Sequence, residues 1–284
     1  MPFDLLERSR WGGKPFHLFI FQRQGLIWRF ANLERDEEIG GETFLSVPIA
    51  RTALRDSTES PRNNVTITMP YVLDPDAEEF PVTQAFGNNW RPYPPSDRIF
   101  VSCMAMHRGD DAPAIEWVGR VVSPTFKAGK LELLCEPTRS SGRRTGLQAR
   151  FQRACWKQPY SQGIGLCNLS EEDNAVAATL TAVDGLTLTA DEFATLPEGV
   201  SLAGGSFRWT REDGLTDYRS IVSHEGTSIR VLYGATDLVT GLEGTALPHC
   251  GNNWAGCERL GNEVNYGGGP YKPVKNPMGG NPVW

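Results

Sequence analysis

The stretch HCGNNWAGCERLGNEVNYGGGPY, residues 249–271, places two cysteines with six residues between them ahead of a run rich in asparagine and glycine. The run shows neither the period of an amphipathic helix nor the alternation of a half-buried strand. A loop of this composition keeps one conformation only if something other than its own backbone holds it. Because two thiols lie close together in it, a metal centre is the first candidate.

The six cysteines of the chain fall into two kinds by their neighbours. Cys103 and Cys135 lie in apolar, strand-like runs, where a thiol usually acts as a small hydrophobic side chain. Six cysteines in 284 residues are too few for a disulfide scaffold, and grouped cysteines in a reducing compartment more often bind metal or act in catalysis. The candidate ligands lie among glycine, asparagine, glutamine and tryptophan, and they are Cys155, Cys167, Cys250 and Cys257.

The spacing of these four cysteines bears on the kind of centre. Eleven residues separate the first pair, 82 separate the pairs and six separate the second pair. A small β domain inserted between the pairs would return its ends close together, so that all four sulfurs can meet at its base. Four thiolates suit zinc or an iron–sulfur cluster. The wide gaps favour the cluster over the tight loops of structural zinc sites, while zinc and no metal stay open as alternatives.

Composition predicts a mainly β protein. The chain has 30 glycines and 20 prolines, and its apolar residues fall into short runs without a long helical period. The predicted domains are an N-terminal β-barrel (1–137), a connector with the first cysteine pair (138–175), an inserted small β domain (176–247), and the second cysteine pair with the tail (248–284).

Several elements can be predicted individually. Residues 16–21 and 26–30 read as a hairpin, and 64–69 alternates strictly, as a half-buried strand does. We expect a short helix at 49–59 and a bulge or barrel corner at Gly119. Further predicted strands and turns are strands at 44–49, 99–107, 115–122, 130–134, 177–183, 185–188, 206–209, 218–224 and 228–233, and turns at 36–41, 74–79 and 91–96.

Charge and hydropathy limit the classes of function. The net charge is −6 and the basic residues form no stripe, so sequence-specific nucleic-acid binding is not expected. The one basic cluster, 139–144, is interpreted as a solvated connector. No apolar segment reaches membrane-spanning length, and residues 1–8 lack the pattern of a signal peptide, so we expect a protein made in the cytoplasm. No catalytic constellation can be assembled from these residues.

A resemblance to a known family adds to this interpretation. It rests on Cys155 and Cys167 in their Ala-Cys and Gly-Leu-Cys settings, on the strand 204–209, and on Cys250-x6-Cys257-x4-Asn262-x2-Asn265-Tyr266 followed by Gly-Gly-Gly-Pro. These motifs resemble the tail-tip and baseplate hub proteins of long-tailed bacteriophages and gene transfer agents, the group of the lambda-type minor tail protein L. The resemblance covers 15–272, and the run after the last cysteine is its most specific part.

The resemblance implies a non-enzymatic structural subunit of the virion tail tip, assembled in the host bacterial cytoplasm. It implies a hub-type barrel and a cysteine domain whose 4Fe–4S cluster is held by the four candidate ligands. It also implies a homo-oligomeric ring, expected to be a trimer, with the distal tail protein, the central hub or fibre protein and the tape measure protein as partners. The sequence departs from the family pattern at 246–249, where relatives often place glycine and an acidic residue.

Two other interpretations stay open. His249 beside Cys250 could complete a Cys3His zinc site, although we interpret it as a neighbour of the ligands. A zinc-stabilised β protein that acts on or binds the cell envelope is the alternative function, and it would need paired carboxylates or an open metal site in a cleft.

Overall fold

A computed structural model describes residues 15–54, 63–72, 81–138 and 152–273, and the chain divides into two units between residues 144 and 145. The predicted turn at 74–79 and the basic connector at 139–144 lie outside the described residues. The mainly β fold class is confirmed.

Strands dominate the described part of unit 1. They are β1 (Phe16–Arg23), β2 (Leu26–Ala31), β3 (Glu37–Ile39), β4 (Glu42–Ser46), β5 (Ala50–Arg51), β6 (Val65–Pro70), β7 (Phe100–Met106), β8 (Ala114–Lys127) and β9 (Lys130–Pro137). Helix α1 (Val82–Gly87) runs into a 3₁₀ turn at Asn88–Trp90. The strand order is β3-β4-β2-β1-β7-β8-β9-β6-β5, and the sheet curls around one apolar cluster.

Alternation explains why this sheet forms. The hairpin of β1 and β2 pairs Arg23 with Leu26 across a two-residue turn, as predicted. Strand β6 buries every second residue, also as predicted. The rings of Phe21, Phe30 and Trp90 pack around Phe86 of α1, with centroids 4.7 to 5.3 Å from its own. The helix therefore contributes the Phe86 ring to the aromatic part of the core.

In unit 1, two element predictions differ from the structure, and one helix was not predicted. Ala50–Arg51 is a strand paired with β6, not the start of a helix, and 55–59 lies outside the described residues. Residues 37–39 form strand β3 within the predicted turn, because Ile39 packs on a second apolar cluster with Phe44. Helix α1 was not predicted, since its six residues are too few to show a period.

Gly119 does not lie at a β-bulge. The two register shifts of β8 lie on either side of it: one opposite Cys103 and Met104 of β7, and one between Val121 and Ser123. A Cβ at position 119 would stand 2.2 Å from the carbonyl oxygen of Glu136 and equally close to the Trp117 ring. The glycine is therefore required by close approach to the neighbouring strand.

Unit 2 contains a second sheet. Its strands are β10 (Val176–Thr179), β11 (Ala182–Asp184), β12 (Thr187–Thr189), β13 (Ser206–Thr210), β14 (Thr216–Glu225), β15 (Ser228–Val231) and β16 (Glu243–Leu247), in the order β10-β16-β13-β14-β15-β12-β11. Short helices α2 (Glu171–Asn174) and α3 (Trp254–Arg259) flank it in the sequence, with 3₁₀ turns at Asp191–Thr195 and Glu263–Asn265. No helix in the described residues is long and apolar enough to cross a membrane.

The strands of this sheet that come first and last along the chain, β10 and β16, pair with each other. Val176 of β10 lies opposite Ala246 of β16 in an antiparallel register. Residues 178–246 also enclose their own apolar cluster, which includes Phe193, Phe207 and Trp209. The segment between the cysteine pairs is thus a folded sheet whose ends lie side by side.

Candidate metal centre

The four candidate cysteines lie on loops and one short helix of unit 2. Cys155 is half-buried in a loop, whereas Cys167, Cys250 and Cys257 are only 6 to 7% exposed. Cys250 follows β16, and Cys257 lies in α3. Asn253 begins that helix, because its side-chain Oδ1 accepts a hydrogen bond of 2.8 Å from the Gly256 amide.

Hydrogen bonds of the backbone and of side chains join the loops that carry the two cysteine pairs. The Cys155 amide donates to the Asn252 carbonyl at 2.8 Å, which places the first loop against the turn that follows Cys250. Asn262, buried and five residues after Cys257, donates from Nδ2 to the Cys167 carbonyl at 2.8 Å. The Cys257 thiol in turn donates to the Asn262 carbonyl at 3.1 Å. One member of each pair therefore contacts Asn262.

Two N–H groups point at sulfur atoms. Nδ2 of Asn262 lies 3.4 Å from Sγ of Cys167, and the Gly267 amide nitrogen lies 3.3 Å from Sγ of Cys155. Hydrogen bonds to a thiolate favour the charged form that binds metals. The donor set, four thiols with N–H groups aimed at two of them, therefore fits a thiolate-bound metal group.

Three side chains tie the surrounding loops to one another. Nζ of Lys157 donates to the carbonyls of Leu166 and Asn265, at 3.1 and 2.6 Å. The Tyr160 hydroxyl donates to the Pro248 carbonyl at 2.6 Å, and the Tyr266 hydroxyl donates to the Arg153 carbonyl at 2.6 Å. The loops that carry Cys155 and Cys167 are thus joined to the segments on both sides of the second cysteine pair.

Electrostatics indicates that the thiols share one environment. Burial raises the pKa of Cys257 to about 11, with further contributions from Cys250, Cys167 and Cys155. Burial also raises the pKa of Cys250, and Cys167 and Cys155 add to the effect. The neighbouring thiolates therefore oppose ionisation of Cys250 and Cys257, and a bound cationic group would offset that repulsion.

The remaining candidates behave differently. Cys103 and Cys135 are fully buried in the core of unit 1, which confirms that they act as small apolar side chains, and burial raises the pKa of Cys103 to about 12. His249 accepts a hydrogen bond of 2.8 Å at Nδ1 from the Gly251 amide, and burial lowers its pKa. Within the described residues, no three His, Cys, Asp or Glu side chains are grouped as a single metal ion would require.

A groove of about 1080 Å³ in unit 2 bears on the envelope-acting alternative. It runs beside β10, β13 and β16 and is lined by several glutamates. The carboxylate of one of them, Glu171, is held by Arg208 through two hydrogen bonds of 2.7 and 3.1 Å. The Glu171 carboxylate therefore forms an ion pair with Arg208. It does not serve as one of two free carboxylates that general acid–base catalysis would need.

Sequence reasoning missed the contacts of Asn262 and Lys157. In the sequence, the Asn-x-x-Asn spacing is a feature of the family resemblance without a chemical role. In the structure, Asn262 contacts Cys167 and Asn265. Lys157 carried no signal, because its partners lie nine and 108 residues away in the chain.

Comparison with known proteins finds a relative in sequence and a solved structure of similar fold. A protein of Xylella fastidiosa (strain 9a5c), described as uncharacterized, is 41% identical over 239 residues; the match covers 82% of this chain and 48% of the relative. This chain therefore spans about half of that relative. No known protein-family profile matches.

The solved structure is a chain from the virion of the native gene transfer agent particle. It superposes with a TM-score of 0.72 at 15% identity, and the match covers 99% of this chain and 95% of that chain. The likeness establishes the fold. This protein has the same overall fold as a component of a phage-like particle.

Proposed function

We propose that the protein is a non-enzymatic structural subunit of the tail tip of a long-tailed phage or phage-like particle. The observation that carries the proposal is the fold shared with a chain of the gene transfer agent virion over nearly the whole length of both. Fold alone does not imply function. The step to a tail-tip role draws further support from the cysteine motifs and the asparagine-rich run after Cys257.

We further propose a 4Fe–4S cluster at the cysteine site, held by Cys155, Cys167, Cys250 and Cys257. A cluster bound there would cross-link the two loop regions, and its binding free energy would contribute directly to folding. The three buried thiols and the N–H groups directed at two of the sulfurs support this ligand set. Residues 152–169 and 250–273 contain no strand of either sheet, so a cluster would add to the hydrogen bonds that join these loops.

In this proposal the two units have separate tasks. The curled sheet of unit 1 belongs to a hub-type barrel that forms a ring with symmetry mates, expected to be three. The ring would contact the distal tail protein, the central hub or fibre protein and the tape measure protein. Cross-linked loops suit a particle that meets the outside environment, because they resist local unfolding.

Purification without oxygen tests the cluster. We expect a coloured protein that contains iron and acid-labile sulfide, and we expect Cys250→Ser and Cys257→Ser to lose both. Cys103→Ala is the matched control, since its thiol lies in the core of unit 1, and it should keep the iron. A folded protein with one zinc and no iron would support the zinc alternative, and a folded metal-free protein would remove the centre altogether.

Electron microscopy of particles tests the structural role. An epitope tag on the full-length protein should label one end of the tail, at a fixed position, in particles from the producing host. Cells that lack the gene should yield no particles with complete tails. Label on capsids, or label only in soluble fractions, would contradict the tail-tip assignment, and lytic activity of the purified protein on peptidoglycan would favour the envelope-acting alternative.

A further inference from the structure

Residues 262–267 contact three of the four candidate ligands. Asn262 reaches Cys167 with its side chain and Cys257 with its carbonyl, and the Gly267 amide reaches Sγ of Cys155. A Cβ at position 267 would lie 3.2 Å from that sulfur and 2.8 Å from Cγ of Lys157, so a side chain there would press on the ligand. The segment is therefore packed directly against the centre.

Hydrogen bonds fix the orientation of the Asn262 amide. Its Oδ1 accepts from Nδ2 of Asn265 at 2.7 Å, which leaves Nδ2 to face the Cys167 sulfur and carbonyl. The Asn265 carbonyl in turn accepts from Lys157 at 2.6 Å. A rotated amide would place oxygen against both the Cys167 carbonyl and the thiolate, and would lose the bond to Asn265.

We infer that Asn262 is a positioning residue that sets the reduction potential of the metal centre, with Asn265 as its anchor. This rests on the proposed cluster. Reduction adds one negative charge to a cluster, and that charge spreads onto the cysteine sulfurs. An N–H group 3.4 Å from Sγ of Cys167 stabilises the more negative state and raises the potential.

The inference differs from a purely mechanical role for the same loop. A loop that only closes the site would affect metal retention and leave the potential of the retained cluster unchanged. A loop that donates N–H groups to sulfur changes the potential even where iron is fully retained. The two roles therefore separate in a redox titration.

The experiment uses full-length protein isolated without oxygen, with the potential followed by electron paramagnetic resonance. Asn262→Leu removes the donor at similar volume. Asn262→Asp keeps the acceptor for Asn265 and turns an oxygen toward the sulfur. Asn174→Leu is the matched control, because its side chain bonds only to the Ser170 carbonyl among the contacts described and touches no cysteine.

We expect equal iron content and a more negative potential in both Asn262 variants, with the aspartate variant shifted further and the Asn174 variant unchanged. Loss of one hydrogen bond changes the ratio of reduced to oxidised protein about tenfold, which is about 59 mV for one electron. Equal potentials with full iron would overturn the inference and leave the cluster proposal intact.

If the Asn262 variants lose iron, the reduction potential is measured in Asn265→Leu instead. That variant keeps the Asn262 donor and removes the hydrogen bond that orients it. A smaller negative shift in that variant supports the inference, and no shift overturns it. A wild-type protein without iron and sulfide would contradict the proposed cluster, and that result is visible before any variant is made.

Discussion

The core of unit 1 and the cysteine site of unit 2 both contain buried thiols, but different forces surround them. Cys103 and Cys135 lie among side chains such as Phe19, Ile67 and Leu133, where apolar burial holds the sheet together. The four cysteines of unit 2 lie among polar loops tied by hydrogen bonds between residues about 100 positions apart. The thiols of the first region act as apolar side chains, whereas those of the second region are the proposed ligands of a cluster.

Removal of the proposed cluster should separate the two regions most strongly. We expect chelation under reducing conditions to abolish hydrogen-exchange protection at 152–169 and 250–273 while the strands of unit 1 stay protected. Structural metal binding contributes on the order of 10 kcal/mol to small metal-dependent folds. Equal protection before and after chelation would show that the hydrogen bonds alone hold these loops.

Phe86→Ala should produce the opposite pattern. The ring packs against those of Phe21, Phe30 and Trp90, so its loss leaves a cavity in unit 1 that costs about 3–5 kcal/mol. Denaturant unfolding followed by exchange in each unit would check this. Iron content should stay at the wild-type level, and a variant that loses iron would show that the two regions are energetically coupled.

Asn253→Ala should have a smaller effect, confined to the cysteine site. It removes the side-chain acceptor at the start of α3, the helix that carries Cys257. Loss of such a cap costs about 1 kcal/mol. We expect faster iron loss to a chelator, compared with Asn174→Ala as a control. An unchanged rate would mean that the metal ligands, not the cap, hold the helix in place.

Thiol reactivity should distinguish the regions with the least perturbation. In metal-free protein at about pH 8, iodoacetamide should modify the cysteines of unit 2 and leave buried Cys103 unmodified. Burial raises the Cys103 pKa from 9.0 to about 12, so its neutral form stabilises the fold fully below pH 9. That contribution is lost as the pH rises from 9 toward 12, and unit 1 should become less stable over this range. Rapid modification of Cys103 at about pH 8 would contradict its burial.

Sequence patterns predicted those parts of the fold in which local periodicity and tertiary burial agree. The hairpin of β1 and β2 and the alternating strand β6 are examples. Strand β5 was misassigned because its two residues acquire their conformation from pairing with β6, which no local window contains. Helix α1 is similarly stabilised by the burial of Phe86 rather than by its own propensity.

The candidate site shows the same limit in another form. Cysteine type and spacing select the four thiols as candidate ligands, since few residues have their chemistry, and this ligand set stays a prediction. The supporting contacts were not predictable, because Asn262 meets Cys167 across 95 positions and Lys157 meets Asn265 across 108. Asparagine and lysine are also common on surfaces, so their presence in a loop does not indicate which residues they contact before the fold is known.

The pairing of β10 with β16 gives the segment between them the properties of an exchangeable cassette. Its entry and exit lie in register at Val176 and Ala246, about 5 Å apart as neighbouring strands are, and it carries its own core. A short turn could bridge that gap. This sheet can therefore be lengthened, shortened or replaced, by evolution or by design, while the cysteine loops keep their separation in space.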